Sequence, residues 1–158
     1  GSERTGAPVV AFCRIDDKAI RLREPIMQPD ALIIQDPTLL HQVDVFGGLV
    51  PDGYILINTS RSFSELGLDE FVQGFHAEHL CTVPATEFAL KHVGRPLPNA
   101  ALLGGFAAVS GRIAIDSVLA AIREKFPAKI ADGNIAAARA AYDYVLGEMR
   151  EAAHAQAN

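Results

Sequence analysis

The fold predicted for this chain is α/β, with a mostly parallel sheet, helices on both faces, an added β-hairpin and a long C-terminal helix. Three observations predict it. Short apolar runs at Ala31–Gln35 (ALIIQ), Tyr54–Ile57 (YILI) and Leu80–Val83 (LCTV) alternate with helix-prone stretches, which is the pattern of strands joined by crossovers. The runs are nearly continuous rather than alternating, as expected of strands covered on both faces. From Asn99 onward almost every segment reads as helix.

Taken in order, Val9–Ile15 (VVAFCRI) and Ile20–Arg23 (IRLR) are β-prone, with Asp16, Asp17 and Lys18 between them as turn residues, so they read as a hairpin. Pro25 and Pro29 break that ladder. Ala31–Gln35 is the first buried strand. Asp36-Pro37 follows, a carboxylate N-cap with proline at the first helical position, and TLLHQVDVFGGL carries helical spacing to Gly47-Gly48. After the turn Pro51-Asp52-Gly53, Tyr54–Ile57 is the second strand, ending in the polar triplet Asn58-Thr59-Ser60. Leu68–Phe75 reads as a short helix and Leu80–Val83 as the third strand. Pro84-Ala85-Thr86 leads into the helix EFALKHVG, closed by Gly94 and Pro96. ALLGGFAAVSG is a small-residue helix built for close packing, and Ile115–Phe126 is another. The last helix runs from about Ala131 to Ala153, with Ile135, Ala138, Tyr142, Val145, Met149 and Ala152 forming one narrow seam; AHAQAN is expected to fray.

The composition narrows the function. With 158 residues, 49% of them hydrophobic, the chain suits a single domain with a real core. A formal net charge of -5 argues against a nucleic-acid partner, because no basic excess can displace phosphate counterions. No apolar run approaches the roughly 18 to 20 residues of a membrane span, and no signal-peptide pattern opens the chain, so a cytoplasmic protein is expected. Two cysteines, Cys13 and Cys81, rule out a self-contained cluster held by four thiolates and a Cys-rich zinc site. Both are expected to be reduced and buried.

Chemistry in an open α/β sheet gathers beyond the carboxyl ends of the strands. Here those ends carry Asp36, then Asn58 and Thr59, then Thr86. Capping explains Asp36, and it serves for Thr86 too; Asn58 and Thr59 lack that explanation, since no helix clearly starts after them. A second candidate is the opening GSERTGAP, where Ser2, Glu3, Arg4, Thr5 and Gly6 form a Gly-rich loop whose amides and guanidinium suit a phosphate or carboxylate. The third is PNAALLGG (Pro98–Gly105), which contains Gly104 and in which Asn99 is expected to cap the helix, with contact between free amides and an anion as the less favoured alternative. His76, His79 and Cys81 have metal-ligating types but straddle a loop and a strand start. Asp132-Gly133-Asn134 resembles the start of a thiamine diphosphate magnesium motif without its second half. No complete catalytic set emerges from these residues.

The string GSERTGAPVVAFCRIDDKAIRLREPIMQPDALIIQDPTLL resembles the gamma subunit, or gamma domain, of the 2-oxoacid:acceptor oxidoreductases of the pyruvate:ferredoxin oxidoreductase type. GYILINT, VPATEFAL, GRPLPNAALLGGFAAVSG and IREKFPAKIADGNIAAARAAYDYV extend the likeness in order, from residue 1 to about 147. The resemblance implies one gamma domain over residues 1–158, lacking a first strand, a Gly-rich loop and a helix, a segment of roughly forty residues with which relatives usually begin. It implies oxidative decarboxylation of a 2-oxo acid such as pyruvate to acyl-CoA, with ferredoxin or a similar acceptor reduced. An aromatic or branched-chain substrate with NAD as final acceptor, and an independent nucleotide- or CoA-binding module, stay open. Thiamine diphosphate, magnesium and iron–sulfur clusters would sit on alpha-, beta- and delta-type partner subunits, with CoA as co-substrate and no cofactor held by this chain alone. Ser2, Glu3, Arg4, Thr5, Gly6, Asn58, Thr59, Asn99 and Gly104 would then face substrate or CoA. Many relatives carry an acidic residue where Pro84 stands, which weakens any role for that strand end.

Overall fold

In the computed structural model, which describes residues 7–158, β1 (Ala31–Ile34), β2 (Tyr54–Asn58) and β3 (Leu80–Val83) form a parallel sheet in the order β1-β2-β3. Ile34 lies opposite Ile57, and Asn58 opposite Val83, so all three strands end at one edge. Ile55, Leu56 and Ile57 are all completely buried, which requires cover on both faces. One face carries Ile34, Ile55 and Ile57 and is padded by Leu40, Phe46, Phe63 and Phe71 from the two crossover connections. Leu56, Cys81 and Val83 face the other way, onto the long helices.

The connections contain less helix than their spacing predicts. Instead of a helix to Gly47-Gly48, a 3-10 turn spans Pro37–His41, capped by Asp36 as expected. The chain then turns so that Val45, Phe46 and Leu49 reach the sheet, and Gly48 takes a positive φ of 79° against the Met27 carbonyl. The helix expected over Leu68–Phe75 is the single turn α1 (Asp69–Val72), followed by a 3-10 turn at Ala77–His79. Burial of these side chains on the sheet outweighs helical spacing in segments this short.

The helical half is longer than expected. α2 is Ala85–His92, α3 Asn99–Ser110, α4 Ile115–Lys125 and α5 Ala128–Ala157. α5 starts directly after Pro127 and continues through the residues expected to fray. α3 is buried almost all round because its small residues let α5 approach: a Cβ at Gly104 would overlap the Ala138 carbonyl oxygen. The seam on α5 is as placed, with Ala138 and Val145 fully buried, and it is widened by Ala131, Ala137 and Ala141. Among the described residues no helix is long and apolar enough to cross a membrane.

The hairpin is a correction. Residues 7–30 contain no strand, and every residue from Ala7 to Pro25 is exposed, Cys13 included, so only Cys81 is a buried thiol. The limbs are linked by the Arg14 guanidinium donating to the Glu24 carbonyl (2.9 Å), and the tip is turned by the Lys18 amide donating to Asp16 (3.2 Å). A two-stranded ribbon with nothing against its apolar face gains too little burial to hold a ladder.

Candidate functional site

Beyond the carboxyl ends of the strands lies an open polar cavity of about 420 Å³, lined by Gln35, Asp36, Pro37, Asn58, Thr59, Ser60, Pro84, Thr86 and Glu87. Parallel pairing brings the three strand ends together. Each end is polar because the chain leaves the sheet there, and the local turns need acceptors.

Asn58 is the organising residue. It is 8% exposed, and its amide nitrogen donates to the Gln35 carbonyl (3.0 Å) and to Thr86 Oγ1 (2.9 Å), while its oxygen accepts from the Thr86 backbone amide (3.3 Å). Asn58 thereby joins β1 to α2 and satisfies an amide at the start of that helix, a cap contributed by a neighbouring strand. This explains an asparagine that no local helix start accounted for. Thr59 donates its amide to the Val83 carbonyl (3.0 Å) and accepts from the Arg61 amide (3.1 Å). The Asp36 oxygen Oδ1 accepts from the Thr38 amide (3.0 Å) and hydroxyl (2.8 Å).

Asn99 does not cap α3: it occupies the first helical position after Pro98, with no side-chain cap bond. Its oxygen instead accepts from the Gln35 side-chain amide (2.8 Å), which ties the start of α3 to the end of β1 beside the cavity. Gly104 is a second correction, since it is buried against α5 and does not line the cavity. Ser2, Glu3, Arg4, Thr5 and Gly6 lie outside the described residues. Gln35, Ser60 and Glu87 were not among the expected site residues, and their only signal was position: Gln35 directly follows β1, Ser60 closes the polar triplet at the end of β2, and Glu87 is one residue past Thr86.

The cavity is rich in acceptors. Asp36 and Glu87 contribute carboxylates, Thr59, Ser60 and Thr86 contribute hydroxyls, and no lysine or arginine is among the lining residues. Such a surface offers carboxylate acceptors together with hydroxyls that both donate and accept.

The features set aside in the sequence have structural explanations. His76 pairs with Asp52 (2.9 Å), and His79 stacks on Tyr54 (4.3 Å between ring centres). Burial, followed by the nearby Glu148 carboxylate, pushes the Cys81 thiol up to about 12, so it stands as a protonated, apolar group at neutral pH. Asp132 pairs with Arg123 (2.7 Å), and Asn134 donates to the Ile130 carbonyl (2.9 Å) within α5. Among the described residues no group of three or more His, Cys, Asp or Glu side chains could hold a metal ion.

Residues 1–144 match the family described as pyruvate ferredoxin/flavodoxin oxidoreductase. The chain is 43% identical over 143 residues to the pyruvate synthase subunit PorC of Methanothermobacter marburgensis, covering 90% of this chain and 75% of that one. It is 41% identical, again over 143 residues, to the pyruvate/ketoisovalerate oxidoreductases common subunit gamma of Pyrococcus abyssi, with coverage of 90% and 76%. The crystal structure of pyruvate oxidoreductase subunit PORC from Thermotoga maritima superposes with a TM-score of 0.61 at 29% identity. That match covers 75% of this chain, which spans 64% of the solved one.

Proposed function

This chain belongs to the pyruvate ferredoxin/flavodoxin oxidoreductase family, and on that premise we propose that it is the gamma subunit of a thiamine-diphosphate and iron–sulfur dependent 2-oxoacid oxidoreductase. The reaction of such a complex converts a 2-oxo acid and CoA to acyl-CoA and carbon dioxide, releasing one proton and two electrons to ferredoxin or a similar acceptor. The observation that carries the reading is the ordered identity, over nine-tenths of the chain, with relatives named as PorC or gamma subunits. The open polar wall at the strand ends, with Asn58, Thr59, Thr86 and the carboxylates of Asp36 and Glu87, is the surface this reading turns toward substrate or CoA.

Thiamine diphosphate, magnesium and the clusters then belong to alpha-, beta- and delta-type partners, and this chain helps enclose CoA or substrate. With one thiol exposed and the other buried and protonated, its two cysteines do not fit a cluster. Its own residues hold that wall in shape. Asn58 fixes Thr86 and the Gln35 backbone, Gln35 fixes Asn99, and Asp36 and Glu87 present acceptors. Pyruvate is the first substrate to test. The ketoisovalerate in the name of the Pyrococcus relative favours a branched-chain 2-oxo acid as the second.

Purifying the complex through a tag on this chain tests the reading. The expected result is 2-oxo-acid-dependent, CoA-requiring reduction of a ferredoxin by the complex and none by the isolated chain. Turnover by the isolated chain would overturn it, as would tight CoA binding by that chain alone, which is the property of an independent module. Arg4→Ala and Asn99→Ala in the complex then separate the roles. A raised KM for CoA supports participation at the site, and unchanged kinetics assigns this chain to scaffolding.

A further inference from the structure

Resting on the subunit reading above, we infer that the arm Val9–Glu24 is an assembly surface that pairs with a partner subunit of the complex, one that presents an apolar patch flanked by carboxylates. Every residue from Ala7 to Pro25 is exposed, and these include Val9 (82%), Val10 (73%), Ile15 (68%) and Leu22 (59%). Six of the fourteen large apolar side chains exposed among the described residues fall within this short arm, and such a concentration facing water marks an interaction site.

The arm is already shaped for one. Its root is fixed by the Val50 amide donating to the Pro29 carbonyl (3.2 Å) and the Tyr54 amide to the Asp30 carbonyl (3.0 Å). Arg14 holds the limbs side by side through Glu24. Phe12, Arg14, Ile20, Leu22, Arg23 and Glu24 line a shallow cavity of about 390 Å³ between the limbs. Five of these six positions are even-numbered, as strand periodicity requires of one face. No backbone–backbone hydrogen bond joins the limbs, so their amides and carbonyls are available to a strand edge on another chain.

Charge selects the kind of partner. The limbs Val9–Ile15 and Ile20–Arg23 contain Arg14, Arg21 and Arg23 and no carboxylate, in a chain whose formal net charge is -5. The arm's carboxylates stand outside these limbs, Asp16 and Asp17 in the turn and Glu24 just after the second limb, so that with Lys18 the arm carries four cations to three carboxylates. Pairing arm to arm in a homodimer would set arginines against arginines, which disfavours a second arm as occupant. A partner with apolar pockets and carboxylates fits both features.

Two variants of the full chain test this, Leu22→Asp and the double charge reversal Arg21→Glu with Arg23→Glu, each titrated onto the complex lacking this subunit. The expected result is affinity lower by about tenfold or more for both, with the melting temperature of the isolated chain unchanged, because these side chains support nothing within it. Hydrogen exchange should show the amides of residues 9–15 and 20–24 unprotected in the isolated chain and protected in the complex. Unchanged affinity and exchange would overturn the inference while leaving the subunit reading intact. A homodimer of the wild-type chain that Leu22→Asp dissolves would overturn it in favour of a second copy. Failure of the wild-type chain to join the complex would overturn both.

Discussion

Asn58 shows how much one buried amide can organise. Its nitrogen and oxygen together meet the Gln35 carbonyl, the Thr86 hydroxyl and the Thr86 amide. Asn58→Ala removes all three bonds at the floor of the open cavity, and the expected cost is about 1–3 kcal/mol, read from urea unfolding. In the complex the same variant should loosen Thr86 and raise KM more than it lowers kcat. The two thiols give a second expectation at this scale. With Cys81 raised to about 12 and Cys13 exposed, a thiol reagent at pH 8 should label one cysteine per native chain and two after unfolding. Because folding favours the protonated Cys81 thiol, its contribution to stability is complete below the ordinary thiol value of 9.0 and is lost as pH rises from there toward about 12. Tyr144, raised mainly by burial and then by Glu148, acts in the same direction. A denaturation midpoint that held steady or rose above pH 9 would contradict this.

At the scale of elements, the contact between α3 and α5 is the most extensive among the described residues. Gly104 lets the helices meet at Ala138, and Val145 is fully buried beside Leu56 and Val83. Gly104→Ala should destabilise by about 1–3 kcal/mol despite the better helix propensity of alanine, because the added methyl has only backbone to displace. Val145→Asp places an unpaired charge in the core, and a loss of about 3–5 kcal/mol is expected from thermal or denaturant unfolding. The seam on α5 was legible because its period of three and four residues survives any tertiary arrangement. The crossover helices were not. In Thr38–Leu49 the spacing fits a helix, yet the sheet needs Leu40, Phe46 and Leu49 against Ile34, Ile55 and Ile57, and a turned segment delivers them.

At the scale of the whole molecule, the strands, the polar edge and the arm divide the labour. The sheet gathers Asp36, Asn58, Thr59 and Thr86 at one edge, as the strand ends in the sequence indicated. The isolated chain should therefore fold cooperatively, show no turnover with any 2-oxo acid, and gain a role in turnover only on joining its partners, as stopped-flow reduction of ferredoxin by the reconstituted complex would show. Electrostatics adds a constraint invisible in any single motif. The cavity presents carboxylates and hydroxyls, while the cations of the limbs lie on the arm. Adding salt should therefore weaken assembly through the arm more than it perturbs the stability of the core.

The sequence by itself determined the family, the three parallel strands, the close-packed small-residue helix and the seam of the last helix. Each of these is written in local pattern: apolar runs of strand length, glycine and alanine where backbones meet, and helical spacing long enough to be unambiguous. Only the tertiary structure decided that Asn58 caps a helix it does not belong to, that Asn99 bonds to Gln35 instead of capping its own helix, that Gly104 serves packing, and that the β-prone arm stands unpaired. Those outcomes depend on groups distant in sequence, and on whether a neighbouring surface is present to bury what the local pattern offers.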